Sequence, residues 1–271
     1  MKLDEKWFEL YESLYGTTFN KILTIGTPNE GYENYPIKSL AQLRQMCEEN
    51  YPKKEFYISL YDYDSDELAI KWDPRDNTPY EKYSKKNCIL FRFIQNTDII
   101  KEETKELTDV QKFMFIRRTL NLGNNKEIFE DVRKVYDAIE ELFNIKSWVL
   151  FNGYNECYLY VFTESEMKLK NPTLTYYYFY KFIENYTGVK TLIYSQIEPF
   201  SQILSLPGSQ NNNTRLYTKP YDITLDYLDI LKNSQSRKIE SFDLRQNQDT
   251  SSLEELFKTV DDEITKRKSE G

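Results

Sequence analysis

Apolar residues recur along this chain in two rhythms. The clearest helical one covers residues 126–143, where Ile128, Phe129, Val132, Val135, Tyr136, Ile139 and Phe143 keep a period near 3.6. Trp7, Phe8, Leu10, Tyr11, Leu14 and Tyr15 repeat it near the N-terminus. Ser39 stands where it can cap a short helix over residues 40–50. Further helices are expected over residues 101–120, from Pro172 to about Tyr186 with Gly188 ending it, over 222–232 and over 253–268. The second rhythm is that of strands, at residues 56–61, 67–72, 88–94 and 189–194. Residues 26–36 and 73–87 read as loops, and 233–250 as polar and weakly ordered. Most informative is SWVLFNGYNECYLYVFT, from Ser147 to Thr163, where two apolar runs flank Asn152-Gly153-Tyr154-Asn155. Bulky β-formers around an Asn-Gly turn predict a hairpin, and arms this apolar belong in the middle of a sheet. Helices and strands alternate without a regular βαβ beat, so the expected fold class is α+β with a mixed or antiparallel sheet.

Composition narrows the chemistry. Among 271 residues there is no histidine, which removes Ser-His-Asp and Cys-His nucleophiles, imidazole metal sites and histidine bases together. Chemistry would have to come from carboxylates, Lys, Tyr or a carboxylate-held metal. Cys47, Cys88 and Cys157 form no CxxC pair, which argues against a zinc knuckle and for a reducing, cytoplasmic setting. A formal charge of −8 argues against a protein that simply coats nucleic acid, though a local basic groove stays open. No apolar run reaches membrane-span length and no signal peptide is recognisable, so no membrane partner is expected.

Three blocks, in order, resemble the small catalytic subunit of archaeo-eukaryotic primases and their plasmid-borne primase-polymerase relatives. They are YISLY at 57–61 followed by ILFRFI at 89–94, the hairpin at 148–161, and ILSLPGSQNNNTRL at 203–216. The second is similar to the family's strand–SGxxGxH–strand hairpin and the third to its LPGSxxxxTGL segment. The resemblance implies a primase-like core at residues 51–232, an N-terminal helical segment at 1–50 packed on it, and a polar linker with an amphipathic helix at 233–271. It also implies nucleotidyl transfer in which an hhhDhD strand and a third acidic residue hold two divalent ions, while Ser-x-His contacts nucleotide phosphates.

Carried over position by position, the chemistry is missing. Arg92 and Ile94 fall where the two metal carboxylates belong. Asn152 takes the Ser position, Tyr158 the His position, and Glu156 the place of a Gly. In the third block Leu206, Pro207, Gly208, Ser209, Thr214 and Leu216 match, whereas Asn213 and Arg215 replace Lys and Gly. The expectation is therefore a catalytically degenerate, primase-like DNA-binding or accessory subunit, a pseudoenzyme of DNA replication or maintenance. Its partners would be single-stranded or primer-template DNA and another replication subunit. Asn152, Tyr158, Ser209, Arg215, Lys219, Arg117 and Arg118 are its candidate nucleotide- or DNA-binding residues, with Lys112 beside them. No cofactor is expected of such a chain. An active, divergent primase-polymerase is the alternative. It would need Mg²⁺ or Mn²⁺ on Asp62 and Asp64, which alternation places on one strand face, with Glu198 as the third ligand. Against that, Asp62, Asp64, Asp66 and Glu67 also read as an ordinary acidic strand end. A third possibility is a protein-interaction scaffold without nucleic acid. The Tyr176–Tyr178 run reads either as base-stacking or as core.

Overall fold

The computed structural model describes residues 5–27, 30–50, 54–59, 62–63, 84–85, 88–163, 167–193, 203–239 and 248–270. The expected strand at 67–72, most of the loop at 73–87, and Asp64, Asp66, Glu67 and Glu198 lie outside them. The fold is mixed α+β, with two antiparallel four-stranded sheets and eight helices among the described residues.

Helix α1 (Glu5–Tyr15) leads into β1 (Thr18–Thr27) and β2 (Gly31–Ser39), which pair antiparallel. This hairpin occupies the stretch whose Gly and Pro content predicts a loop. Its alternation is hidden because Ile22, Leu23 and Ile25 are all buried, on both faces of the strand. Helix α2 (Leu40–Asn50) follows, its Gln42 N–H donating to Ser39 Oγ at 3.3 Å as the capping residue predicts. Strand β3 (Glu55–Ser59) and the much later β9 (Ile203–Ser205) complete the first sheet in the order β2-β1-β3-β9. The short strands β4 (Asp62–Tyr63) and β5 (Ser84–Lys85) pair with each other.

The second sheet has the order β10-β7-β8-β6, built from β6 (Cys88–Ile94), β7 (Trp148–Phe151), β8 (Glu156–Phe162) and β10 (Lys219–Pro220). The predicted hairpin supplies its two central strands. Both faces are buried. Ile89, Phe91, Phe93, Val149, Phe151, Leu159 and Val161 point into a cluster shared with the helices. Leu90, Trp148, Leu150, Tyr158 and Tyr160 point into a second cluster, closed by α1, α2 and the first sheet. Two-sided burial is why these strands read as unbroken apolar runs.

On the helical side stand α3 (Asp98–Thr104), α4 (Asp109–Asn121), α5 (Lys126–Phe143), α6 (Pro172–Thr187), α7 (Tyr227–Asn233) and α8 (Ser251–Glu270). The single helix expected over 101–120 is two, because Thr108 forms a capping box with Gln111 and starts α4 afresh. Asn125 is the N-cap residue of α5, but its side chain caps nothing, its amide donating to the Tyr154 carbonyl at the hairpin tip. Gly188 ends α6 in the left-handed conformation, as expected. Helix α8 is fastened to α6: Phe257 packs against Phe179 with ring centroids 4.7 Å apart, and the Asp261 carboxylate accepts from Lys170 N and Asn171 N at 2.7 and 2.6 Å.

A second buried carboxylate, Asp131 on α5, accepts from Lys190 N, Thr191 N and Thr191 Oγ1 at 2.8, 3.0 and 3.0 Å and pairs with Lys134 at 2.9 Å. Burial alone would raise its pKa, but these donors outweigh it and hold the carboxyl below its ordinary value. Replacing Asp131 by Ala leaves the two amides without acceptors and is expected to cost about 2 kcal/mol at neutral pH. A depressed folded pKa means this stabilisation is full at neutral pH and fades as the carboxylate protonates below about pH 4. Urea unfolding of both proteins at pH 7 and pH 3 checks it: the gap between them should narrow in acid.

Candidate functional site

The three blocks meet at one end of the two sheets. Strand β6 pairs with β8 so that Arg92 lies opposite Tyr158 and Ile94 opposite Glu156. The hairpin turn is organised by Asn152, whose Oδ1 accepts from Tyr154 N at 2.8 Å and Glu156 N at 3.0 Å. The candidate Asn152 is thus spent largely on its own turn.

Gly153 takes φ +81°, and a Cβ there would stand 2.9 Å from the Leu216 carbonyl oxygen. Around it the third block closes. Thr214 Oγ1 donates to Gly153 O at 2.6 Å, and Thr218 Oγ1 to Asn152 O at 3.3 Å. Ser209 Oγ accepts from Phe56 N at 3.0 Å, tying the block to β3. Tyr11 Oη donates to Pro207 O at 2.6 Å, and Gly208, at φ +85°, lies against the Trp7 ring. The matching residues of the LPGS-like block therefore work as a clamp between α1, the first sheet and the hairpin. Ser209, a sequence candidate for nucleotide contact, is buried in that clamp.

At the centre, Arg92 Nη2 donates to Glu156 Oε1 at 2.5 Å, and the Tyr158 phenol donates to the other oxygen of Glu156. The guanidinium lies 6.0 Å from the Tyr158 ring centroid. Burial works against the Arg92 charge, but Tyr158 and Glu156 outweigh it and raise its pKa further. The Tyr158 phenol is driven well above its ordinary range by burial and then by Glu156. The residues here do not fit a divalent ion. Arg92 carries a fixed positive charge, Ile94 offers no ligand atom, and the Glu156 carboxylate is already paired.

Arg92, Glu156 and Tyr158 form one wall of a cleft of about 280 Å³. Tyr32, Glu55, Tyr57 and Ser205 from the first sheet form the other, with Asn211 and Asn213 at the rim. Glu55 is buried, accepts from Tyr32 Oη at 2.7 Å, Tyr57 Oη at 3.0 Å and Asn212 N at 2.9 Å, and is a functional candidate that sequence reading missed. Gly26 opens the way, because a Cβ there would come within 2.7 Å of the Tyr32 ring. The clue lay in the strand pairing of Tyr32, Gly26 and Glu55, which local patterning does not show.

The basic candidates divide. Lys112 and Arg215 line a neighbouring groove of about 730 Å³ between α4 and the Asn-rich loop, together with Asp109 and Glu30. Arg117 reaches the same loop through Thr214 O at 3.4 Å. Arg118 is exposed elsewhere on α4. Lys219 is buried, its Nζ donating to Asn233 O and Ser236 O at 3.2 and 3.4 Å, so it braces the fold and lines neither hollow. Asp62 pairs with Lys21 at 3.5 Å and accepts from Asn20 N at 3.3 Å, and it is not among the residues lining the cleft. Asp64 and Glu198 lie outside the described residues, and among those described no group of three Asp, Glu or Cys side chains is placed to hold a metal. In the Tyr176–Tyr178 run, Tyr176 is core and Tyr178 is half exposed.

No protein-family profile matches the chain, and no curated protein matches it in sequence. Among solved structures it is similar to the polymerase domain of ligase D from Mycobacterium tuberculosis, determined in complex with DNA. That match has a TM-score of 0.48 and 11% identity, covering 84% of this chain and 86% of that one. It is also similar to the AEP domain of the primase-polymerase of cyanophage S-2L, with a TM-score of 0.45 and 14% identity over 86% of this chain and 100% of that one.

Breaking the central pair from one side is expected to cost more than removing it. Glu156→Leu leaves a guanidinium and a phenol without their acceptor and should lower stability by about 2–3 kcal/mol, whereas Arg92→Leu/Glu156→Leu should recover part of that loss. Chemical denaturation of the single and double variants measures the difference.

Proposed function

We propose that this chain is a primase-like protein that no longer performs metal-dependent nucleotidyl transfer and serves DNA replication or maintenance as a DNA-binding or accessory subunit. The observation that carries this reading is the Arg92–Glu156 ion pair at the meeting point of the three blocks. Two-metal catalysis needs converging carboxylates to gather the ions that clamp the attacking and leaving oxygens. A unit charge at about 4 Å from a guanidinium meets repulsion of roughly 4 kcal/mol at an effective dielectric near 20, and a divalent ion about twice that. The scaffold-forming residues of the blocks are kept beside this exchanged centre. The competing assignment of Asp62, Asp64 and Glu198 is disfavoured by the pairing of Asp62 with Lys21.

DNA binding is supported by the groove beside the hairpin. Arg215 holds φ +57°, a left-handed conformation that costs a residue with a side chain about 1 kcal/mol and that the resembling motif fills with Gly. Retaining a long cation at a strained position on a groove is the kind of local cost that function sustains. A second reading, a protein-interaction scaffold, is favoured by Leu174, Tyr178, Phe182 and Tyr186, which form an exposed stripe four residues apart along α6.

Primer-synthesis assays with nucleotides and Mg²⁺ or Mn²⁺ should give no product. Metal-dependent synthesis would overturn the proposal, and its loss in Asp64→Ala would then identify the alternative site. Single-stranded DNA binding should weaken with salt, and Lys112→Ala should lower affinity and reduce the salt slope by about one. Arg215→Gly should do the same while raising stability by about 1 kcal/mol, a pairing readable from titrations and thermal melts of one preparation.

A further inference from the structure

We infer that the cleft between the sheets takes an unpaired nucleobase of a bound strand and excludes nucleoside triphosphates; this rests on the strand-binding reading above. The charge count excludes the triphosphate. Among the described residues the cleft holds one cation, Arg92, and two carboxylates, Glu55 and Glu156, so the Arg92 charge is already matched and one negative charge remains over. A polyphosphate entering it meets net repulsion.

What the walls do offer is suited to an uncharged ring. Tyr32 is 44% exposed and stands edge-on to Tyr57, with ring centroids 5.7 Å apart. Stacking on such a ring is tolerant of base identity. Glu55 has accepted three hydrogen bonds, leaving about one of a carboxylate's four lone-pair sites for a donor on a base edge. Arg92 Nε is buried without a hydrogen-bond partner among the described residues, and a ligand acceptor would satisfy it. At about 280 Å³ the space lies at the small end of ligand-sized sites and has room for one base.

The phosphates have their own place next door. Asn213 lines both the cleft and the groove that carries Lys112 and Arg215. A strand running along the groove can turn one base across the Asn-rich loop into the cleft. Backbone and base thus meet separate surfaces, a groove where Lys112 and Arg215 are matched in number by Glu30 and Asp109, and a cleft one charge more negative but rich in neutral donors and acceptors.

The test compares a labelled single-stranded DNA with a strand of equal length made of abasic residues, titrated into the full chain by fluorescence anisotropy. The intact strand should bind about tenfold tighter. Tyr57→Leu and Tyr32→Leu, each verified as folded by circular dichroism, should bring the intact strand down to the abasic level. A nucleoside triphosphate should compete no better than its nucleoside. Equal, salt-sensitive affinity for both strands would overturn the base cleft while leaving strand binding intact. Absence of binding to either strand would remove both readings. Stronger competition by the triphosphate would overturn the charge argument and assign the cleft to a nucleotide.

Discussion

Everything in this molecule depends on the closeness of Gly153 to Leu216. No side chain fits between them, since a Cβ on the glycine would lie 2.9 Å from a backbone oxygen. That contact lets the turn of the central hairpin be closed by a segment some sixty residues later. The segment in turn touches α1 through Pro207 and Gly208, β3 through Ser209 and the hairpin through Thr214. One loop therefore fixes the relation of the two sheets, and with it the width and lining of the cleft between their ends.

The cleft is built as a pair of opposed carboxylate systems, each tied to several donors. On one wall Glu156 is bound by Arg92 and Tyr158; on the other Glu55 is bound by Tyr32, Tyr57 and a backbone amide. In both cases the carboxylate is buried or nearly so and meets several donors, which is the condition for keeping charge inside a protein. Such walls present rings and neutral polar edges outward.

Within the three blocks, the residues that build the scaffold and those that line the cleft have separate duties. Leu206, Gly208, Ser209 and Thr214 each have a packing or hydrogen-bonding duty that a substitution would disturb. Arg92 and Ile94 face Tyr158 and Glu156 across the strand pair, and the Arg92 charge is met by Glu156. Arg215 is the exception that costs backbone strain, and it is the residue that faces a groove.

By itself the sequence determined the local elements whose pattern is redundant. The 3.6-residue period of α5, the Asn-Gly hairpin, the Ser39 and Gly188 helix ends and the two-sided burial of β7 and β8 are each written several times over in neighbouring residues. It also determined that histidine chemistry is absent. Tertiary structure alone decided which polar residues meet. Glu55 and Tyr32 reach each other because Gly26 of a third strand has no side chain, and β9 joins β3 across more than 140 residues. Lys219 and Ser209 look available in sequence and are buried by contacts from distant segments. Periodicity reports which face of an element is covered. It carries no record of what covers it, because packing partners are chosen by the whole chain at once.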